Sequence, residues 1–134
     1  MIKTENLSKG FFRQKALDNV NLEIVQGKVY GVFGPNGSGK TTLFKIITGL
    51  NKPSAGTVTI KGFPIGVETK KRTAFMPTED YLFKWMKAKM ILDFYQDMYE
   101  DFDRAKAMEN LDYMELNENM KVGSLSTGMK ARLK

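Results

Sequence analysis

Gly34-Pro35-Asn36-Gly37-Ser38-Gly39-Lys40-Thr41-Thr42 fits the phosphate-loop pattern G-x-x-x-x-G-K-[ST] at each fixed position. The chemistry explains the spacing. Glycines let the backbone curl around a chain of anionic oxygens in conformations that a side chain would forbid, so that successive amides point inward. A helix beginning at about Gly39 adds its positive end and its unpaired amides. Lys40 is then placed to reach the terminal phosphates, and the Thr41 hydroxyl to ligate Mg²⁺. Upstream, the almost unbroken apolar run Val29-Tyr30-Gly31-Val32-Phe33 predicts a buried parallel strand. Downstream, Leu43, Ile46, Ile47 and Leu50 recur at helical spacing. Strand, loop and helix are the context this motif requires, so Gly34 to Thr42 predict nucleotide binding.

Composition narrows what else the chain can do. Its 134 residues suffice for one modest core. Without cysteine it has no disulfide or thiolate metal site, which fits a reducing compartment. Without histidine, no histidine-based catalytic scheme is available within it. No stretch approaches the about 18 apolar residues of a membrane span, and Met1-Ile2-Lys3-Thr4-Glu5 lacks a signal-peptide core, so a cytoplasmic or peripheral protein is expected. The formal charge is +6, from 21 Lys and Arg against 15 Asp and Glu, but the densest cluster is only Lys70-Lys71-Arg72. That distribution argues against a dedicated nucleic-acid arm and for a solvated basic surface.

The chain changes character near its middle. Val20, Leu22 and Ile24 alternate as in a half-buried strand, as do Val58 and Ile60 after the turn Pro53-Ser54-Ala55-Gly56, and a short strand is predicted from Thr73 to Met76. Beyond it, Ile91, Phe94, Tyr95 and Met98 predict one helix, and Ala107, Leu111 and Met114 a second, capped by Asp101 or Asp103. Residues 1–79 therefore read as a β-rich part carrying the phosphate loop, and residues 80–134 as a helical part.

Leu125-Ser126-Thr127-Gly128-Met129-Lys130-Ala131-Arg132-Leu133 resembles the signature motif of ATP-binding cassette (ABC) proteins, usually L-S-G-G-x before a basic, helix-forming stretch. Alone, such a motif is an ordinary capped helix start. Downstream of a phosphate loop and a helical insert it is specific, and the resemblance covers the whole chain. It implies an α/β fold: a P-loop NTPase core of ABC type, lacking its later strands, with an antiparallel β part and a helical subdomain. It also implies ATP and Mg²⁺ as cofactors, and a second ATPase subunit in a head-to-tail dimer. In that dimer the segment Leu125, Ser126, Thr127, Gly128 and Met129 closes over ATP held by the other subunit's loop. Thr127 replaces the commoner glycine. Phe11 aligns best with the family's adenine-stacking aromatic, and Phe12 is the competing candidate. After Ala74-Phe75-Met76-Pro77, Thr78 stands where the family usually has glutamine. Thr78 acting through water, Glu79 or Asp80 reaching inward, and an altered coupling are open alternatives. Tyr81-Leu82-Phe83-Lys84-Trp85-Met86 lies where the family receives a membrane-spanning subunit; an exposed patch for that partner and a cover for the chain's own core are both open.

Hydrolysis needs a carboxylate that holds Mg²⁺ at the end of a buried strand and a neighbouring base. Met90-Ile91-Leu92-Asp93 superficially offers one, but its spacing is helical and Phe94 stands where the base would be. The resemblance puts the acidic strand beyond Lys134, so no catalytic residue is expected within this chain and a longer parent ATPase is. The leading expectation is the ATP-binding subunit of a bacterial ABC transporter, held at the inner face of the membrane by its membrane-spanning partner, with no direct nucleic acid. The alternatives are a non-catalytic nucleotide-binding module, a soluble cassette ATPase acting on ribosomes or nucleic acid, and a compact P-loop kinase or GTPase using Asp93.

Overall fold

A computed structural model describes residues 1–79 and 81–133. These divide into two compact units, Met1–Phe75 and Met76–Lys134.

The first unit is a four-stranded antiparallel sheet with one main helix. Strands β1 (Ile2–Phe11) and β2 (Gln14–Ile24) form a long hairpin, followed by helix α1 (Lys40–Ile47), strands β3 (Ala55–Ile60) and β4 (Phe63–Pro64), and a single-turn helix α2 (Val67–Lys70). The strand order is β2-β1-β3-β4. Strands β1, β2 and β3 together supply the buried face: Leu7, Leu17, Val58 and Ile60 meet Leu43, Ile46 and Ile47 of α1, with Val20 and Leu22 packed at the margin. Each such side chain, once buried, stabilises the unit by about 1.5–3 kcal/mol. Thr4 is buried among them because its hydroxyl donates to the carbonyl of Val20 at 3.0 Å. The helix stops sooner than its apolar spacing suggests. Gly49 adopts φ 74°, its amide bonds the Ile46 carbonyl, and the Leu50 amide bonds that of Lys45, which closes the last turn and leaves Leu50 exposed.

Two expected strands are not formed. Val29 to Phe33 carries no regular secondary structure and pairs with no strand among the described residues, and Val29 and Phe33 are almost wholly exposed. A buried parallel strand needs hydrogen-bonding neighbours on both edges, and the four strands present pair only with one another. Residues 73–76 likewise carry no ladder.

The second unit is helical: α3 (Ala88–Met98), α4 (Arg104–Tyr113) and α5 (Thr127–Leu133), with a 3-10 turn at Val122–Ser124. Its core joins Ala88, Ile91 and Leu92 to Leu111, Leu116, Val122, Leu125 and Leu133. The buried stripe of α3 is thus 88-91-92, with Tyr95 half-buried beyond it, whereas Phe94 and Met98 of the expected stripe are exposed. The period is right and the phase is shifted. Backbone contacts from distant sequence set that phase: the amides of Ala88 and Lys89 donate to the carbonyls of Met120 and Glu118. Burial, then the neighbouring Tyr81 hydroxyl, pushes the Tyr95 phenol up to about 12, so it stays neutral within its aromatic cluster with Tyr99 and Phe102. Of the two candidate caps for α4, Asp103 acts, its carboxylate accepting from the Lys106 amide at 3.0 Å. No helix among the described residues is long and apolar enough to cross a membrane.

Candidate functional site

Residues of the phosphate loop and of the β1–β2 hairpin line an open cavity of about 340 Å³. Asn36, Gly37, Ser38, Gly39, Lys40, Thr41 and Thr42 form one wall; Phe11, Gln14 and Ala16 form the other. Gly34 and Pro35 are not among the lining residues, but their carbonyls accept hydrogen bonds from Lys40 Nζ, both at 2.7 Å. The same ammonium is 3.4 Å from Ser38 Oγ, and the Ser38 amide donates to the Pro35 carbonyl at 3.2 Å, which closes the loop as a tight turn.

Glycine is required at the junction of loop and helix. Gly39 is the N-cap of α1 at φ 89°, and a Cβ there would stand 2.3 Å from the backbone oxygen of Ala16. Only a residue without a side chain lets α1 begin this close to β2. Having no side chain, Gly39 also cannot cap the first turn, and no acidic residue stands in that turn. The leading amides of α1 are therefore left to an anion from outside, favoured by the helix dipole.

These features fit a nucleotide. The volume is within the usual range for a small-molecule site, its lining carries a cation and a row of amides and no carboxylate, and Phe11 offers an aromatic wall. Mg²⁺ fits less of this chain directly. Thr41 presents one exposed hydroxyl beside the loop, and no group of three or more acidic side chains among the described residues could hold a metal. Thr41 would be the one side chain of this chain to hold magnesium, with the remaining ligands supplied by phosphate oxygens and water, which is compatible with that donor set.

The hairpin separates the two phenylalanines. Phe11 lines the cavity, whereas Phe12 is fully exposed at φ 50° and takes no part in it. A β-carbon in the left-handed region costs about 1–2 kcal/mol. Phe12→Gly should accordingly raise stability by about 1 kcal/mol in denaturant unfolding and leave nucleotide affinity unchanged. Gln14 and Ala16 are cavity residues that motif reading misses. The signal for Gln14 was available in the two-residue hairpin, which pairs it with Phe11, whereas Ala16 falls at the register shift between the Gly10–Lys15 and Lys9–Leu17 pairs, which spacing alone does not reveal.

The remaining motif residues belong to the second unit. In the Leu125–Met129 segment, Leu125 is buried and Met129 packs against the same core, while Ser126, Thr127 and Gly128 are exposed between them. Ser126 Oγ accepts from the Met129 amide at 3.2 Å, capping α5. Arg132 ties that helix down by donating to the Met114 carbonyl. Thr78 and Glu79 are exposed at a bend, and Asp80 lies outside the described residues, as does Lys134. Asp93 is on helix α3 and forms an ion pair with Arg104 at 2.7 Å, so the kinase or GTPase reading that made it a metal ligand is abandoned. The aromatic segment divides between its two open roles: Leu82 and Met86 pack on the core, while Phe83 and Trp85 stack on each other at 5.8 Å and are more than 60% exposed.

The sequence model of the family described as ABC transporter matches residues 17–134. The linearmycin resistance ATP-binding protein LnrL of Bacillus subtilis is 31% identical, over 99% of this chain and 45% of its own length. An ABC transporter ATP-binding protein from Pyrococcus furiosus has the same fold with a TM-score of 0.84 and 30% identity, over 98% of this chain and 66% of that one. The ATP-binding cassette MJ0796, solved as a dimer in a post-hydrolysis state bound to ADP and Pi, matches with a TM-score of 0.75 and 30% identity, over 99% of this chain and 66% of that one. The chain spans about half the length of the curated relatives it matches. With a family match over most of its length, a phosphate loop opening α1 and the ABC ATPase fold, the chain belongs to the ABC transporter family, among its ATP-binding proteins.

Proposed function

We propose that this protein is the ATP-binding subunit of a bacterial ABC transporter, and that the Phe11–Lys40 cavity is where it holds ATP. The carrying observation is the convergence in one cavity of an aromatic wall, a glycine-shaped loop, a free helix N-terminus and a lysine. In this reading Phe11 stacks on adenine, and the amides from Gly37 to Thr42 cradle the phosphates. Lys40 exchanges its two carbonyl partners for phosphate oxygens, and Gly34, Pro35, Asn36 and Ser38 hold the loop's shape. Thr41 would hold Mg²⁺, which, when bound, neutralises phosphate charge.

Coupling to transport is proposed for the whole protein. There, Leu125, Ser126, Thr127, Gly128 and Met129 would face the ATP of a second ATPase subunit, buried Leu125 and half-buried Met129 anchoring the exposed residues between them. Thr78 would take the position next to nucleotide and water, and the Phe83–Trp85 surface would meet a membrane-spanning subunit that keeps the protein at the inner face of the membrane. Residues 1–79 would be the β-rich and phosphate-loop part, and residues 80–134 the helical subdomain. A second reading, a nucleotide-binding module without turnover, is favoured by one observation: no carboxylate lines the cavity. In the whole protein, ATP-dependent self-association measured by sedimentation should disappear in Lys40→Ala. Undiminished association would contradict the role given to Lys40, and association without membrane-protein crosslinks from Trp85 would contradict the transporter assignment.

A further inference from the structure

Lys9 stands outside the cavity but acts on its wall. It lies two residues before Phe11 on β1, so the two side chains share a face of the strand. The Lys9 ammonium sits 5.0 Å from the centroid of the Phe11 ring, within cation–π range. Its cross-strand neighbour is the buried Leu17, against which an aliphatic stem can lie, and Lys9 is itself half-buried although it sits near a hairpin tip. The ammonium lies over the ring, whereas Lys3 and Lys15 are paired with carboxylates. Phe11 is therefore shared: it lines the cavity, and it also carries a cation that is not part of the cavity wall.

We propose that Lys9 is a positioning residue for the nucleobase, holding the Phe11 ring as a ready-made platform for a planar purine. The inference rests on the reading that the cavity takes a nucleotide. A half-exposed phenylalanine beside a two-residue turn otherwise samples several rotamers, and stacking a base on it must first order it. The ammonium restricts the ring beforehand, so part of that ordering cost is removed from binding. A cation near a phosphate site could instead act by plain long-range attraction. The two effects separate by ligand: attraction strengthens every polyphosphate, whereas platform ordering strengthens only ligands that carry a base.

The test compares MgATP with magnesium tripolyphosphate by titration calorimetry on the wild-type chain, Lys9→Met and Lys9→Arg. Methionine keeps the stem and removes the charge; arginine keeps a cation that stacks well on aromatic rings. Lys9→Met should weaken ATP about threefold and leave tripolyphosphate unchanged, Lys9→Arg should restore ATP, and in a Phe11→Leu background Lys9→Met should have no further effect. Equal losses for both ligands, or no loss for ATP, would overturn the positioning role while leaving the nucleotide site intact. Failure of the wild type to bind either ligand would overturn the nucleotide reading, and this inference with it.

Discussion

Gly39→Ala should destabilise the first unit by about 3 kcal/mol and abolish ATP binding. Two independent costs meet at this position. The backbone is at φ 89°, where a β-carbon costs about 1–2 kcal/mol. The new carbon would also lie 2.3 Å from the Ala16 oxygen and 2.9 Å from Leu17 Cδ2. The first of these atoms is backbone in a paired strand and cannot rotate away. Helix α1 must then move off β2, which loosens Leu43 and Ile46 against Leu17 and tilts the amides that face the cavity. Gly37→Ala is the matched control, because Gly37 is also left-handed, at φ 82°, but has open space where the Cβ would go. It should cost only about 1 kcal/mol. Denaturant unfolding of the two variants measures the difference; equal costs would mean that the close approach to β2 does not matter.

Lys40→Met should weaken ATP binding about a hundredfold or more while shifting stability by less than about 1 kcal/mol. The asymmetry comes from where the ammonium's partners lie. Its present partners, the carbonyls of Gly34 and Pro35, belong to exposed residues, so water replaces the lost donor at little cost. In the complex the same ammonium would bond phosphate oxygens, and charge-assisted bonds of that kind contribute about 1.5–3 kcal/mol each. Competition against a fluorescent ATP analogue, run beside thermal melts, reads both quantities. A variant that lost affinity and melted well below the wild type would show that Lys40 acts by holding the loop's shape instead.

How much of this was legible in the sequence depended on the range of the forces involved. The loop, the N-terminus of α1 and the alternation of Val20, Leu22 and Ile24 are decided within a few residues and could be read directly, whereas the cap of α4 was narrowed only to Asp101 or Asp103. The phase of α3 could not be read that way. Phe94 and Met98 are as apolar as Leu92 and Tyr95, and the choice between faces is made by carbonyls at Glu118 and Met120 and by the Asp93–Arg104 ion pair. Val29 to Phe33 failed for a related reason: an apolar run states a preference for burial, but a strand also needs partners, and none pairs with it here. At the site, spacing alone identified the phosphate wall. The opposite wall depends on cross-strand register, so Gln14 and Ala16 became visible only once Phe11 was seen opposite Gln14.

The central claim is that the amides from Gly37 to Thr42 receive the phosphates of ATP. Backbone amide NMR of the isotopically labelled chain, titrated with MgATP, tests it at the atoms concerned. The amide signals of Gly37, Ser38, Gly39, Lys40 and Thr41 should move first and furthest, with the ring protons of Phe11 following and those of Phe12 unmoved. Saturating ATP that left those five amides in place, or that moved only residues around Ser126, would contradict the account.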